Sequence, residues 1–237
     1  MKKIVSLIVF FNIYLFAQNS FGPISATIQK IDGNKAYINS SSDLSLGVSG
    51  VVIHKFDSSH EAIIASATIT KNQNGNIELK LSKFDDIKQD VLPKYNISPK
   101  IGDEVLLNYH YNRSMIIAPN KESYDRVLEN YKGFEWVHPD IFATFISSKL
   151  NATPTKENFK EECRSDDIGL LFFVINGGVY VVDCKTFSII QKSQITPSTT
   201  SQTPFYTRIN VKGRMMGFFG DKVKDYNSYY TKLLGGK

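Results

Sequence analysis

IGLLFFVINGGVYVVDC, residues 168–184, is the stretch on which the fold turns. Two apolar runs flank Asn176-Gly177-Gly178, and an Asn-Gly pair between hydrophobic strands is the strongest short-range signal for a β-hairpin. Downstream, SIIQKSQI (188–195) and TPFYTRINV (203–211) each predict a further strand, which makes the hairpin the start of a meander. The polar, proline-bracketed TPSTTSQTP (196–204) reads as a loop between them.

Upstream of the hairpin the text is helical. NKESYDRVLENY (120–131) opens on Asn120 as an N-cap and places Val127, Leu128 and Tyr131 on one face. HPDIFATFISSKL (138–150) carries Pro139 in its first turn, and TKENFKEEC (155–163) predicts a shorter third helix. A closing helix is expected over 222–234, with Tyr226, Tyr229, Tyr230 and Leu233 on or near one face and Gly235-Gly236 as its stop.

The first half reads differently. ISATIQKI (24–31) alternates, and AYIN (36–39) follows the turn signal Asp32-Gly33-Asn34. Gly47 and Gly50 precede the apolar run 51–53; AIIASATIT (62–70) and NIELKLSKF (76–84) flank Asn72-Gln73-Asn74-Gly75; IGDEVLLNY (101–109) closes the series. Short strands separated by turn signals predict a small antiparallel β-barrel or sandwich over 22–112. The expected class is therefore α+β: a β-barrel domain at 22–112, then an α+β domain at 113–237 with a β-meander and about four helices.

MKKIVSLIVFFNIYLFAQNS has a positive n-region, Lys2 and Lys3, and an apolar h-region over 4–16. That layout is a secretory signal peptide, here assigned to 1–17, with a retained anchor as the other reading. The expected location is across the inner membrane, in the periplasm or on the outer-membrane surface, with no transmembrane helix after signal removal. The formal charge is +5, and from Arg208 to Lys237 seven basic residues face two acidic ones. Such an end can steer an acidic partner, and it is also how a solvated helix looks.

Cys163 and Cys184 are the two cysteines. An even pair in an exported chain reads as a disulfide; the competing readings are a buried free pair or a metal site, and the latter lacks enough soft ligands. His54, His60, His110 and His138 are scattered with no H-x-x-x-H spacing and read as surface or capping residues. Asp85-Asp86 and Asp166-Asp167 read as solvated loop carboxylates. GRMMGFFGDK (213–222) lacks the glycine spacing and the Lys-Ser/Thr of a phosphate loop. It reads as a connector whose Met215, Met216, Phe218 and Phe219 pack or line a contact surface. No constellation predicts an enzyme, a cofactor or a metal, and the modest charge with an export signal argues against nucleic acid.

The order MIIAPNKESYDRV, DIFATFI, FKEEC, the apolar hairpin, TPFYTRI and KDYNSYYTKL resembles the N-terminal domain of the bacterial surface plasminogen-binding protein family. LGVSGVVI, Leu92-Pro93 and IGDEVLL agree in order in the first half, so the resemblance covers about 22–234. It implies a non-enzymatic cell-envelope protein that captures host plasminogen through a C-terminal lysine. Kringle lysine sites take an ammonium and a carboxylate on one short aliphatic stem, with an aromatic trough over the methylenes. Lys237 is the residue the resemblance points to, with Lys222, Lys224 and Lys232 as a supporting basic helix and Gly235-Gly236 as a tether. Better-known members continue into a long lysine-rich tail, so Lys237 is expected to reach less far. The competing expectation is a structural or assembly domain of the envelope that contacts another envelope protein and binds no plasminogen.

Overall fold

A computed structural model describes residues 21–41, 43–85, 97–149, 153–209 and 223–236. The first seven strands are β1 (Ile24–Thr27), β2 (Lys30–Asp32), β3 (Lys35–Asn39), β4 (Ser49–Lys55), β5 (Glu61–Gln73), β6 (Asn76–Ser82) and β7 (Glu104–Leu107). They form one antiparallel sheet in the order β1-β7-β4-β5-β6-β3-β2. Only two residues separate β1 from β2, so one stretch of chain serves both ends of the sheet. Ile28 N donates to Asp103 O at one end, and Gln29 N donates to Tyr37 O at the other. That junction curls the sheet toward the expected barrel. Alternation supplies its interior: Ala36 and Ile38 of β3, Ile77 and Leu79 of β6, and Val105 and Leu107 of β7 are all buried.

The rest of the chain builds a second sheet, covered by helices. Its elements are β8 (Arg113–Ile117), α1 (Lys121–Asn130), β9 (Glu135–Val137), α2 (Pro139–Ser148), α3 (Lys156–Ser165), β10 (Leu170–Ile175), β11 (Gly178–Asp183), β12 (Ile189–Gln194) and α4 (Tyr226–Leu233). The strand order is β12-β11-β10-β8-β9. The expected hairpin is present in full register from Leu170↔Asp183 to Ile175↔Gly178, and β12 extends it as the expected meander. The helix caps follow the sequence: Asn120 accepts from Ser123 N, Thr155 and Asn158 form a capping box, and Pro139 sits in the first turn of α2.

Two strands were not expected. β8 runs parallel to both β10 and β9, pairing Phe173 with Ile117 and Arg113 with Glu135. Parallel neighbours need a long crossover; α1 supplies it between β8 and β9. One expected strand is not formed. Residues 203–209 of TPFYTRINV are irregular, because their polar groups are taken by other partners. Pro204 has no N–H to give a ladder, Tyr206 N donates to Ala118 O, and Arg208 N donates to Asp140 Oδ1. Residues 210–211 of that stretch lie outside the described residues. The closing helix starts at Tyr226 rather than 222, with Asp225 as its N-cap.

β10 divides two cores. Leu170, Phe172 and Val174 point into the core shared with the first sheet, which also holds Ile38, Val52, Leu107 and Tyr111. Leu171, Phe173 and Ile175 point the other way, onto Phe142 and Ile146 of α2, Phe159 of α3, and Tyr226 and Tyr230 of α4. The second sheet is thus the middle layer of three. Each fully buried large apolar side chain contributes about 1.5 to 3 kcal/mol, and β10 has six consecutive buried positions.

Candidate binding surface

The residues singled out in sequence lie on and around α4. Its inner face is fixed. Tyr226 is fully buried and donates through Oη to Ile117 O at 2.7 Å, and Tyr229 Oη donates to Pro154 O at 2.5 Å. Tyr230 is buried beside them. Burial pushes the Tyr226 and Tyr230 hydroxyls well above the ordinary tyrosine range. Asn176 N, in the β10–β11 turn, donates to Asn227 Oδ1 at 2.9 Å, which ties the helix to the hairpin that set the fold. The tyrosines are therefore core residues, as helical spacing suggested.

Lys224, just ahead of the N-cap Asp225 of α4, and Lys232, in its last turn, are both exposed. They lie at opposite ends of the helix. The structure does not gather them into one site. Lys222 and Lys237 lie outside the described residues, as do Met215, Met216, Phe218 and Phe219. The two glycines play a different part from the expected tether. Gly235 has φ +85° and donates to Lys232 O at 3.1 Å, while Gly236 N reaches back to Thr231 O at 2.8 Å. That is a Schellman closure, which holds both residues against the helix end.

The cysteines form a disulfide, Cys163–Cys184, joining α3 to the end of β11. Three histidines sit beside carboxylates. His54 Nδ1 is 2.7 Å from Asp103 Oδ1, His60 pairs with Asp57 on the surface, and His138 caps α2 by accepting from Asp140 N. Asp140 is the best-held carboxylate of the outer layer. Burial raises its pKa, but donation from Thr207 Oγ1, Arg208 N and Arg208 Nε outweighs burial and brings it to about 2.

Two carboxylates escaped the sequence reading. Asp183 is fully buried at the seam between the sheets. Its Oδ2 accepts from Ser49 N at 3.0 Å, Ser49 Oγ at 2.5 Å and Tyr111 Oη at 2.5 Å; its Oδ1 accepts from Thr186 N at 2.7 Å. Glu162 of α3 is 2% exposed and its Oε1 has no hydrogen-bond partner among the described residues. Burial, reinforced by the neighbouring Asp166 carboxylate, pushes it up to about 8. Asp183 had a weak signal, as a polar end to an apolar strand; Glu162 had none within the run EEC. Among the described residues no group of three or more His, Cys, Asp or Glu could hold a metal ion, and no helix is long and apolar enough to cross a membrane.

Comparison with known proteins gives this surface its context. Two proteins named Plasminogen-binding protein PgbA, from Helicobacter pylori strains J99 / ATCC 700824 and ATCC 700392 / 26695, are 26% and 25% identical to the chain over 240 residues. The alignment covers 99% of this chain and 52% of each relative, so the chain spans about half the length of the curated relatives it matches. No solved structure matches. The family model described as plasminogen-binding protein pgbA N-terminal matches residues 23–234, from the first barrel strand through α4, and the chain belongs to that family.

Proposed function

We propose that this chain is an exported, non-enzymatic binding protein of the cell envelope that captures host plasminogen through its kringle domains. The observation that carries the reading is the family match over 23–234 together with two relatives named for plasminogen binding. Export is supported by the n-region and h-region of residues 1–17 and by a disulfide, which persists in oxidising compartments. The periplasm and the outer-membrane surface are the two locations that fit.

Lys237 is the proposed contact. A chain whose last residue is Lys237 presents an ammonium and a carboxylate on one stem, the pair a kringle lysine site recognises. The Schellman closure at Gly235 and Gly236 supports presentation from a fixed base on α4. Lys224 and Lys232, exposed at the two ends of that helix, add positive charge that speeds encounter with acidic kringle surfaces. Plasminogen titrated against the intact chain, a chain lacking Lys237 and a chain extended by one alanine tests this. Binding is expected only for the first, and it is expected to vanish with excess lysine analogue. Equal affinity in all three would sink the Lys237 mechanism, and no affinity in any would sink plasminogen capture by this chain.

The second reading is a scaffold or assembly domain that contacts another envelope protein and not plasminogen. It is favoured by one fact: the match covers 52% of each named relative. Capture of a stable envelope partner by a chain with no plasminogen affinity would support it.

A further inference from the structure

A cleft of about 660 Å³ opens where the first sheet meets the disulfide corner of α3 and β11. Its barrel wall comes from β4, β5 and β6, and its far wall from α3, the Cys163–Cys184 bridge and Lys185. Five basic side chains line it, Lys80, Lys83, Lys160, Arg164 and Lys185, against two acidic ones, Asp85 and Asp167.

Within the cleft, Lys185 Nζ lies 3.8 Å from Asp85 Oδ1. Lys35, Lys55, Lys71, Lys121, Arg126 and Arg208 each reach a carboxylate. Lys80, Lys83, Lys160 and Arg164 make no ion pair among the described residues, although they converge on one cavity from two elements and the loop after β6. Lys160 and Arg164 are four residues apart on α3 and so share a face. Cations left unpaired beside one another repel, and a multiply charged anion relieves that repulsion. Arg164 adds the planar fork that suits sulfate, phosphate or carboxylate.

Volume and lining narrow the ligand class. A single inorganic ion fills little of 660 Å³, whereas pockets of about 300 to 1,000 Å³ hold ligands of one to a few rings. Phe84, Tyr109 and the apolar disulfide wall offer surface to the C–H face of a sugar, and Thr68 and Ser82 offer hydroxyls. Acidic peptides dock along a sheet edge or a groove that follows an element; here the cations ring one cavity. We propose that this cleft binds a compact, multiply charged saccharide, sulfated or phosphorylated, whose anionic groups are held by Lys80, Lys83, Lys160 and Arg164.

Calorimetric titration of the full chain with a trisulfated heparin-type disaccharide tests the proposal, with sucrose, inorganic sulfate and a hexaglutamate peptide as comparators. Saturable one-to-one binding of the disaccharide is expected, falling steeply from 50 to 150 mM salt, with no response to sucrose. Lys160→Gln and Arg164→Gln are each expected to weaken it about tenfold, the scale of one charge-assisted hydrogen bond. Arg164→Lys should restore part of the loss, and Lys224→Gln with Lys232→Gln on α4 should leave affinity unchanged. Thermal unfolding of each variant verifies the fold. A phosphorylated disaccharide and a sulfated hexasaccharide, run in parallel, distinguish a free sugar phosphate from the end of a longer sulfated glycan. Absence of disaccharide binding, affinity unmoved by the α3 variants in folded protein, or tighter binding of sulfate or hexaglutamate overturns the proposal.

Discussion

The strands of the first sheet and β10 solve the same burial problem in opposite ways. β3 and β6 alternate buried with partly exposed residues, so one face of each meets the core and the other meets solvent. β10 is buried at all six positions, because the barrel covers one face and α2, α3 and α4 cover the other. A one-faced strand needs a single covering layer, whereas a two-faced strand depends on both neighbouring layers being in place. The seams that hold those layers to the second sheet are therefore where substitutions should cost most.

The barrel-side seam is expected to be the more sensitive. Asp183→Asn turns one acceptor into an amide N–H₂ facing groups that already donate from Ser49, Tyr111 or Thr186. Hydrogen bonds to a buried charge are worth about 1.5 to 3 kcal/mol each, and the losses within one network overlap. The expected destabilisation is about 3 to 5 kcal/mol, read as a lower urea midpoint at unchanged slope. A loss below about 1 kcal/mol would show that the apolar contacts alone join the two sheets. On the helix side, the Cys163→Ala/Cys184→Ala pair removes a link closing 21 residues of sequence separation. About 3 kcal/mol is expected, with amide exchange accelerated in α3 and β11 before the barrel strands. Equal acceleration in both sheets would break the distinction between the seams.

Glu162 gives the helix layer a pH dependence of its own. Its folded pKa of about 8 stands above the ordinary 4.5, so the folded chain keeps a proton that the unfolded chain releases. The stabilisation is complete below pH 4.5 and is lost as pH rises toward 8. Glu162→Gln removes that dependence. Above pH 8 the variant should be the more stable by on the order of 2 kcal/mol, part of the gain being offset by an unpaired amide. Urea titrations at pH 5, 7 and 9 read the effect, and parallel pH profiles for both proteins would place the ionisation elsewhere.

How far the sequence carried depended on whether a signal was local. Asn176-Gly177 and Asn120 fix their neighbours' backbone within a few residues, and the hairpin and the start of α1 were legible for that reason. β9 has three residues and exists only because β8 lies beside it, and β8 is parallel to both partners, with no turn between them to announce it. TPFYTRI misled because alternation suggests a strand, whereas the donors of Tyr206 and Arg208 are taken by Ala118 and Asp140. Of the binding surface, the tyrosine face of α4 was legible from helical spacing. The basic cleft was not, since its cations are spread from Lys80 to Lys185 and meet only after the two sheets pack.

Two glycines share a backbone conformation and differ in surroundings, and alanine at the second of them, Gly235, carries the smallest predicted effect. Gly47 has φ +86° and Gly235 φ +85°, so alanine at either position carries the left-handed penalty of about 1 kcal/mol. At Gly47, on the barrel-side seam, a Cβ would fall 2.4 Å from Ser188 Cβ and 2.5 Å from its Oγ. At Gly235, beyond α4, it would meet nothing within 4 Å. Gly47→Ala should therefore cost about 2 to 3 kcal/mol, the backbone term plus an overpacking term, and Gly235→Ala about 1 kcal/mol. Their difference isolates how rigidly the first sheet is held against β12. If Ser188 moves aside freely, the two substitutions become equal in chemical denaturation, and the barrel-side seam then admits a methyl group as readily as the open space beyond α4.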